Sequence, residues 1–96
     1  MDKEAIKKDL VDRSNNILKK YGEMDVVDSV SIMNTAAKTI FIGSLRVYNE
    51  DVVNNIKKDL KKEFAHYGDF TVRDEKIVPC CSPNYIHISF NVSITN

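Results

Sequence analysis

Residues 85–94, close to the end of the chain, alternate polar and apolar side chains without interruption. A period of two is the pattern of a β-strand that buries one side and exposes the other. The apolar members are β-branched or aromatic, which suits a pleated packing surface: Ile86, Ile88, Phe90, Val92 and Ile94. Antiparallel sheets commonly keep one face wet, whereas parallel sheets are covered on both faces. The segment therefore predicts an antiparallel-type sheet with one open face.

The length and composition of the chain indicate one globular domain. Ninety-six residues can enclose one hydrophobic core but not two. A hydrophobic share of 43% with 29% charged residues argues against disorder. The formal net charge of zero argues against an acidic nucleic-acid mimic and against a basic coat protein for DNA. We expect a single α+β domain over residues 1–96.

The chain lacks the usual signals for export or membrane insertion. Its first residues begin a charged amphipathic stretch and not the basic-then-apolar profile of a secretory signal. Its apolar runs are too short to span a membrane, and two cysteines make no disulfide framework. These features predict a cytoplasmic protein with no membrane partner. Abundant Lys, Asn and Ile are typical of AT-rich coding DNA, as in many low-GC bacteria and their phages, and fit a phage or mobile-element origin.

Two segments have the apolar spacing of amphipathic helices. The first covers residues 2–21, and its apolar face carries Ile6, Leu10, Ile17 and Tyr21, with Val11 and Leu18 on the flank. The second begins after Asn49 as the N-cap and carries Val53, Ile56, Leu60, Phe64 and Tyr67. Each ends in a Tyr-Gly pair, which predicts Gly22 and Gly68 as the C′ residues of the two helices.

Three further segments have strand patterns: residues 26–33, 38–48 and 69–78. Residues 34–37 are a plausible hairpin connection between the first two strands. The inward side chains are expected to be Val30 and Ile32 in the first strand and Phe70 and Val72 in the third. The polar middle of the third strand, residues 73–76, indicates an edge strand or a bulged bend.

The second of these strands changes phase at its middle. Ile40 and Ile42 lie on one face in even register, whereas Leu45 and Val47 continue in odd register. A β-bulge at Gly43-Ser44 would bring all four to the core side, and glycine suits a bulge. The alternative is a strand that is apolar on both faces, with Phe41 exposed or covered by a partner.

The element order is therefore α-β-β-α-β-β. The simplest assembly is an α+β two-layer sandwich: a four-stranded, mainly antiparallel sheet with two helices on one face. Both helical stripes would then pack against the apolar side of the sheet, which is expected to include Ile40 and Ile42. The order of the strands within the sheet stays open.

No set of residues predicts catalysis or metal binding. Cys80 and Cys81 are adjacent, with His87 a few residues on, but no orienting group or glycine-rich oxyanion loop accompanies them. Adjacent cysteines are poorly spaced for a tetrahedral metal site, and His66 is explained by its place at a helix end. We expect no enzyme, no metal and no cofactor.

The polar side of the last strand is the most promising binding surface. Tyr and Arg are enriched in the anchors of protein interfaces. The predicted partner-binding residues are Arg46, Tyr48, Tyr85, His87 and Asn91. We therefore predict a small non-enzymatic interaction or assembly module, which binds a protein partner or a second copy of itself through this face or through an edge strand.

The alternative prediction is a nucleic-acid-binding domain. Four lysines fall within six residues of the second helix and could contact phosphates: Lys57, Lys58, Lys61 and Lys62. The same lysines also fit an ordinary solvated helix face, and no ribonucleoprotein-type aromatic motif accompanies them.

Overall fold

The computed structural model describes residues 2–23 and 30–95. Its elements are, in chain order, α1 (Lys3–Lys20), β1 (Val30–Asn34), β2 (Lys38–Val47), a 3₁₀ turn (Glu50–Val52), α2 (Val53–Phe64), β3 (Asp69–Ile77) and β4 (Tyr85–Thr95). The predicted α+β class and the order α-β-β-α-β-β are confirmed. Positions 26–29 of the predicted first strand lie outside the described residues.

The four strands form one sheet in the order β1-β2-β4-β3, and every neighbouring pair is antiparallel. Strands β2 and β3 both run opposite to β4, so they point the same way and are joined through α2 with β4 between them. This is a split β-α-β unit, and the element order is a cyclic permutation of the ferredoxin-like β-α-β-β-α-β order. Strands β1 and β3 are the two edges, so the predicted edge position of β3 is confirmed.

Both helices pack on one face of this sheet, and the core lies between the two layers. The helices supply Leu10, Ile17, Leu18, Val53, Ile56, Leu60 and Phe64 to the core; the strands supply Val30, Phe41, Leu45, Val47, Ile86, Ile88, Phe90 and Val92. The buried stripe of α2 and the buried side of β4 are those predicted, apart from Tyr67 and Ile94, which are partly buried.

Helix α1 begins and ends with the expected caps. The Asp2 side chain accepts a hydrogen bond from the backbone N–H of Ala5. Gly22 has a φ of 75°, and the backbone N–H groups of Gly22 and Glu23 donate to the carbonyls of Lys19 and Leu18. These two bonds form a Schellman motif, which needs a left-handed residue at C′. The predicted role of Gly22 is confirmed.

Gly68 has a different role from the one predicted. Helix α2 ends at Phe64 with Ala65 as its cap, and Gly68, three residues further on, does not have a positive φ. A Cβ at position 68 would overlap the backbone carbonyl oxygen of Ser93 in β4. The glycine is therefore required by the close approach of two backbone segments where the chain enters β3.

The predicted bulge in β2 is wrong. Its residues pair one to one with β4 from Lys38 to Val47, without an extra residue. The odd-numbered side chains face the helices, and Phe41 is fully buried among them. Ile40 and Ile42 consequently lie on the opposite side of the sheet and not in the core as expected. The strand is apolar on both faces, but the alternative that exposed Phe41 is wrong as well.

The packing of Phe90 explains this register. Gly43 is the direct partner of Phe90 across the β2–β4 pair, and a Cβ at Gly43 would overlap the Phe90 ring. The ring is held in place by its two aromatic neighbours: the centres of the Phe64 and Phe70 rings lie 5.3 Å and 6.1 Å from the centre of the Phe90 ring. Gly43 therefore provides the space that a buried aromatic ring needs, which is the second common reason for a glycine within a strand.

We expect Gly43→Ala to destabilise the fold by about 1–3 kcal/mol, because the added methyl overpacks a ring that cannot move aside. The matched control is Ser44→Ala, which changes the adjacent exposed side chain. Urea unfolding of both variants measures the difference in the free energy of unfolding. Equal midpoints for the two variants would show that the Phe90 ring does not depend on Gly43.

Two tyrosine–aspartate hydrogen bonds connect the helices reciprocally. The Tyr21 hydroxyl, just after α1, donates to Asp59 of α2 at 2.7 Å. The Tyr67 hydroxyl, just after α2, donates to Asp9 of α1. The guanidinium of Arg13 adds an ion pair with Glu63 at 2.7 Å between these two bonds. The contacts run in opposite directions along the two helices, so α1 and α2 are antiparallel.

These bonds shift the pKa values of both partners. The hydrogen bond from Tyr21 lowers the pKa of Asp59. Burial favours the neutral form of Asp9, but hydrogen bonds from Tyr67 and Arg13 outweigh burial and lower its pKa. Donation to a carboxylate raises the pKa of Tyr21 and of Tyr67. Both pairs therefore stabilise the fold while aspartate is ionised and tyrosine is protonated.

The stability of the fold should accordingly depend on pH at both ends. The two aspartates have folded pKa values below the unfolded value of about 4, so their contribution is present above about pH 4 and is lost as the pH falls further. The two tyrosines have raised pKa values, so their contribution is lost above about pH 10.

We expect the double variant Asp9→Asn/Asp59→Asn to flatten the acid part of the curve of unfolding free energy against pH. Asp12→Asn, an exposed position on α1, is the control, and an unchanged acid part in the double variant would contradict this account.

Candidate functional site

The open face of the sheet is the side that points away from the helices. Its side chains come from the alternate positions that the core leaves outward: Ser31 and Met33 in β1, Ile40, Ile42, Ser44 and Arg46 in β2, Tyr85, His87, Ser89, Asn91 and Ser93 in β4, and Thr71, Arg73, Glu75 and Ile77 in β3. In the two central strands, the charged side chains on this face are Arg46 and, at the first position of β2, Lys38. The open face predicted from β4 is confirmed as a feature of the sheet.

Four of the five predicted partner-binding residues form one cluster on this face. The Arg46 guanidinium carbon lies 4.7 Å from the centre of the Tyr85 ring, and the Tyr48 ring meets the Tyr85 ring edge-on with centres 6.1 Å apart. His87 is the direct strand partner of Arg46. Asn91 lies apart from this cluster, opposite Ile42. Stacking on Tyr85 restrains the guanidinium while its N–H groups remain available to an acceptor.

A charged residue that the sequence reasoning missed belongs beside this cluster. Glu75 of β3 pairs with His87 from the other side, so Arg46, His87 and Glu75 form one row across three strands. Among the described residues, neither Arg46 nor Glu75 takes part in an ion pair, whereas the neighbours of Glu75 in β3 are engaged: Asp74 with Lys57, and Lys76 with Glu50. The signal in the sequence was the outward alternation of Arg73, Glu75 and Ile77.

An apolar corner lies at the β1 side of the same face. Met33 is 48% exposed and is the direct partner of Ile40, while Ile42 pairs with Ser31 one row further. Ile40 and Ile42 are half-buried by their neighbours. The open face thus combines an apolar corner with an aromatic and cationic cluster, which is the mixture found in protein interfaces.

A buried carboxylate positions the Tyr48 side of the cluster. Glu23, which follows α1, accepts hydrogen bonds from the backbone N–H groups of Tyr48 at 3.1 Å and Asn49 at 2.9 Å. Glu23 is 7% exposed, so these bonds replace water for all three groups. The end of α1 therefore fixes the backbone that carries Tyr48 and the N-cap Asn49.

We expect Glu23→Ala to cost about 1–3 kcal/mol in the free energy of unfolding, because it leaves two backbone N–H groups without an acceptor. Glu23→Gln keeps a side-chain oxygen that can accept and should lose less. Urea unfolding of both variants measures the difference in the free energy of unfolding. An Ala variant as stable as the Gln variant would show that these bonds do not hold the segment.

The two edge strands differ in charge. Four consecutive charged residues occupy the middle of β3, from Arg73 to Lys76, and three of them make contacts with a helix, the 3₁₀ turn or β4. Strand β1 has no charged residue between Val30 and Asn34. Charge on an edge opposes pairing with another strand. The edge that suits strand addition, the second mode predicted for this protein, is therefore β1.

The structure separates the four lysines proposed for nucleic-acid binding. Lys57, Lys58 and Lys61 line a shallow depression beside Val72 of β3, and Lys57 forms an ion pair with Asp74 at 2.6 Å. Lys62 lies on the α1 side of the helix, in the depression between the helices that Asp59 also lines. Lys58, Lys61 and Lys62 are exposed and form no ion pair among the described residues, but only Lys58 and Lys61 line the same depression. Nucleic-acid binding stays a prediction, and the lysines that could contact one nucleic-acid backbone together are fewer than the four proposed.

The remaining chemical candidates are separate features. The thiols of Cys80 and Cys81 are free and exposed in the loop between β3 and β4, with 3.2 Å between the two sulfurs. In the described part of the chain, no group of three or more His, Cys, Asp or Glu side chains converges as metal ligands would. The helices of the described segments are too short or too polar to cross a bilayer.

Comparisons with models of protein families, with curated proteins and with solved structures found no significant match.

Proposed function

We propose that this protein is a non-enzymatic interaction module that binds another protein chain through the open face. The observation that carries the proposal is the cluster of Arg46, Tyr48 and Tyr85, in which a cation is held on an aromatic ring without a carboxylate partner among the described residues. Tyr and Arg in restrained positions are frequent energetic anchors of interfaces.

The composition of the face around the cluster supports this proposal. Ile40 and Ile42 are large apolar side chains on the side of the sheet that the helices leave uncovered, and Met33 is 48% exposed beside them. Burial of such side chains by a partner removes apolar surface from water, which favours association by about 25 cal/mol per Å². The row between the corner and the cluster carries Ser44 and Ser89 in the two central strands and Arg73 in β3.

The charge of the face indicates what the partner presents to the cluster. Arg46 offers planar N–H donors that match a carboxylate. We therefore infer that the binding partner places an Asp or Glu side chain against Arg46. Since both charges are at least partly desolvated in the complex, their loss should mainly increase the dissociation rate.

A photo-activated cross-linker in place of Ser44, at the centre of the open face, tests the proposal. We expect covalent adducts to form after irradiation, with the purified chain or with extracts of the cells that produce it, and we expect Arg46→Ala to reduce their yield at least about fivefold. The same cross-linker in place of Lys58, an exposed position on α2, is the matched control. Adducts of equal yield at both positions, or none at position 44, would show that the open face is not the binding surface.

A further inference from the structure

We infer that the open face binds a second copy of this chain, face to face, about a two-fold axis that runs along β4. This inference rests on the proposed function and names its partner. The observation behind it is the row of Arg46, His87 and Glu75, in which opposite charges lie on either side of β4 at the same height.

The symmetry of such a dimer places opposite charges of the two copies against each other. A two-fold axis parallel to β4, midway between two stacked sheets, places β2 of one copy over β3 of the other. Arg46 then meets Glu75 of the second copy, and Glu75 meets Arg46 of the second copy. Strand neighbours are about 4.8 Å apart, so the two charges within one copy are separated by about 10 Å at their Cα atoms and remain available for the other copy.

The neighbouring rows avoid like-charge contacts under this axis. One row away, Ser44 faces Arg73 of the second copy, because both are aligned with Ser89. In the other direction, Tyr48 lies beside Tyr85, whose β3 partner is Ile77. The Tyr48 ring therefore faces the aliphatic Ile77 of the second copy. At the other end of β2, Ile42 faces Thr71 and Ile40 faces Asp69 of the second copy, while Met33 of β1 lies outside the overlap. None of these rows brings two like charges together.

A two-fold axis perpendicular to the strands gives the opposite result. It stacks β2 on β2 and β3 on β3 of the second copy, so Arg46 cannot meet Glu75 at any height of the axis, and an axis at the height of their row sets Arg46 against Arg46. Like charges placed against each other in an interface cost several kcal/mol in the binding of a wrong partner. The charge row therefore selects the axis along β4.

The size of the overlap predicts a reversible dimer. Three strands overlap, over a width of about 14 Å and a length of about 30 Å, which gives on the order of 430 Å² for each copy. The total of about 900 Å² lies below the range of permanent dimers. Association should therefore be reversible and depend on concentration, and it should weaken with added salt.

Charge exchange in sedimentation equilibrium tests the inference. We expect Arg46→Glu and Glu75→Arg each to weaken dimerisation at least tenfold, and the double variant to recover the wild-type dissociation constant to within about threefold. Lys58→Glu, which makes the same kind of charge change on α2, should leave it unchanged. Circular dichroism of each variant confirms that it is folded, and the neutral pair Arg46→Gln and Glu75→Gln replaces any variant that is not.

Two results would overturn the inference. One is a wild-type chain that stays monomeric up to about 1 mM, and the other is a double variant that dimerises as weakly as the single variants. Cross-links from position 44 to a different protein, together with a monomeric chain, would reject the second copy but retain the open face as the binding surface. Absence of cross-links at position 44 would reject both.

Discussion

The packing of the Phe90 ring against Gly43 determines which side chains of the sheet face the helices and which lie on the open face. Strands β2 and β4 are the two central strands and pair residue by residue. The side of the sheet on which one residue pair lies therefore determines the side on which every other pair lies. With Phe90 on the helix side, Phe41 enters the core and Arg46 points outward. The composition of the open face therefore follows from a packing requirement on the opposite side of the sheet.

The sequence alone predicted the buried face of those elements in which the apolar residues follow a single register. The alternation in β4 and the stripe of α2 each identify a single buried face. Strand β2 has large apolar residues in both registers, with Phe41 in one and Ile40 and Ile42 in the other, so periodicity alone could not decide between them. A glycine within a strand indicates either a bulge or a close approach. The choice depended on Phe90, a residue in another strand, and the prediction of a bulge failed for that reason.

The candidate surface was predictable where it depended on one strand and not where it depended on strand order. The alternation of β4 identified Tyr85 and His87 as outward residues, and the structure places Arg46 beside them. Glu75 was missed, because its alignment with His87 requires β3 to lie next to β4. The reciprocal bonds of Tyr21 and Tyr67 were missed for the same kind of reason: the two Tyr-Gly pairs were visible, but their partners lie on the other helix.

We propose that this protein meets a second chain through the open face, whereas ion pairs connect the two helices to each other through Arg13 and Glu63 and through Lys20 and Asp59. The most direct measurement is a dilution series of ¹H–¹⁵N spectra of the labelled protein. We expect concentration-dependent shifts at outward positions of β2, β3 and β4, strongest around His87, with α1 and α2 unchanged. Shifts confined to the helices, or spectra that do not change with concentration, would contradict the binding of a second copy through the open face.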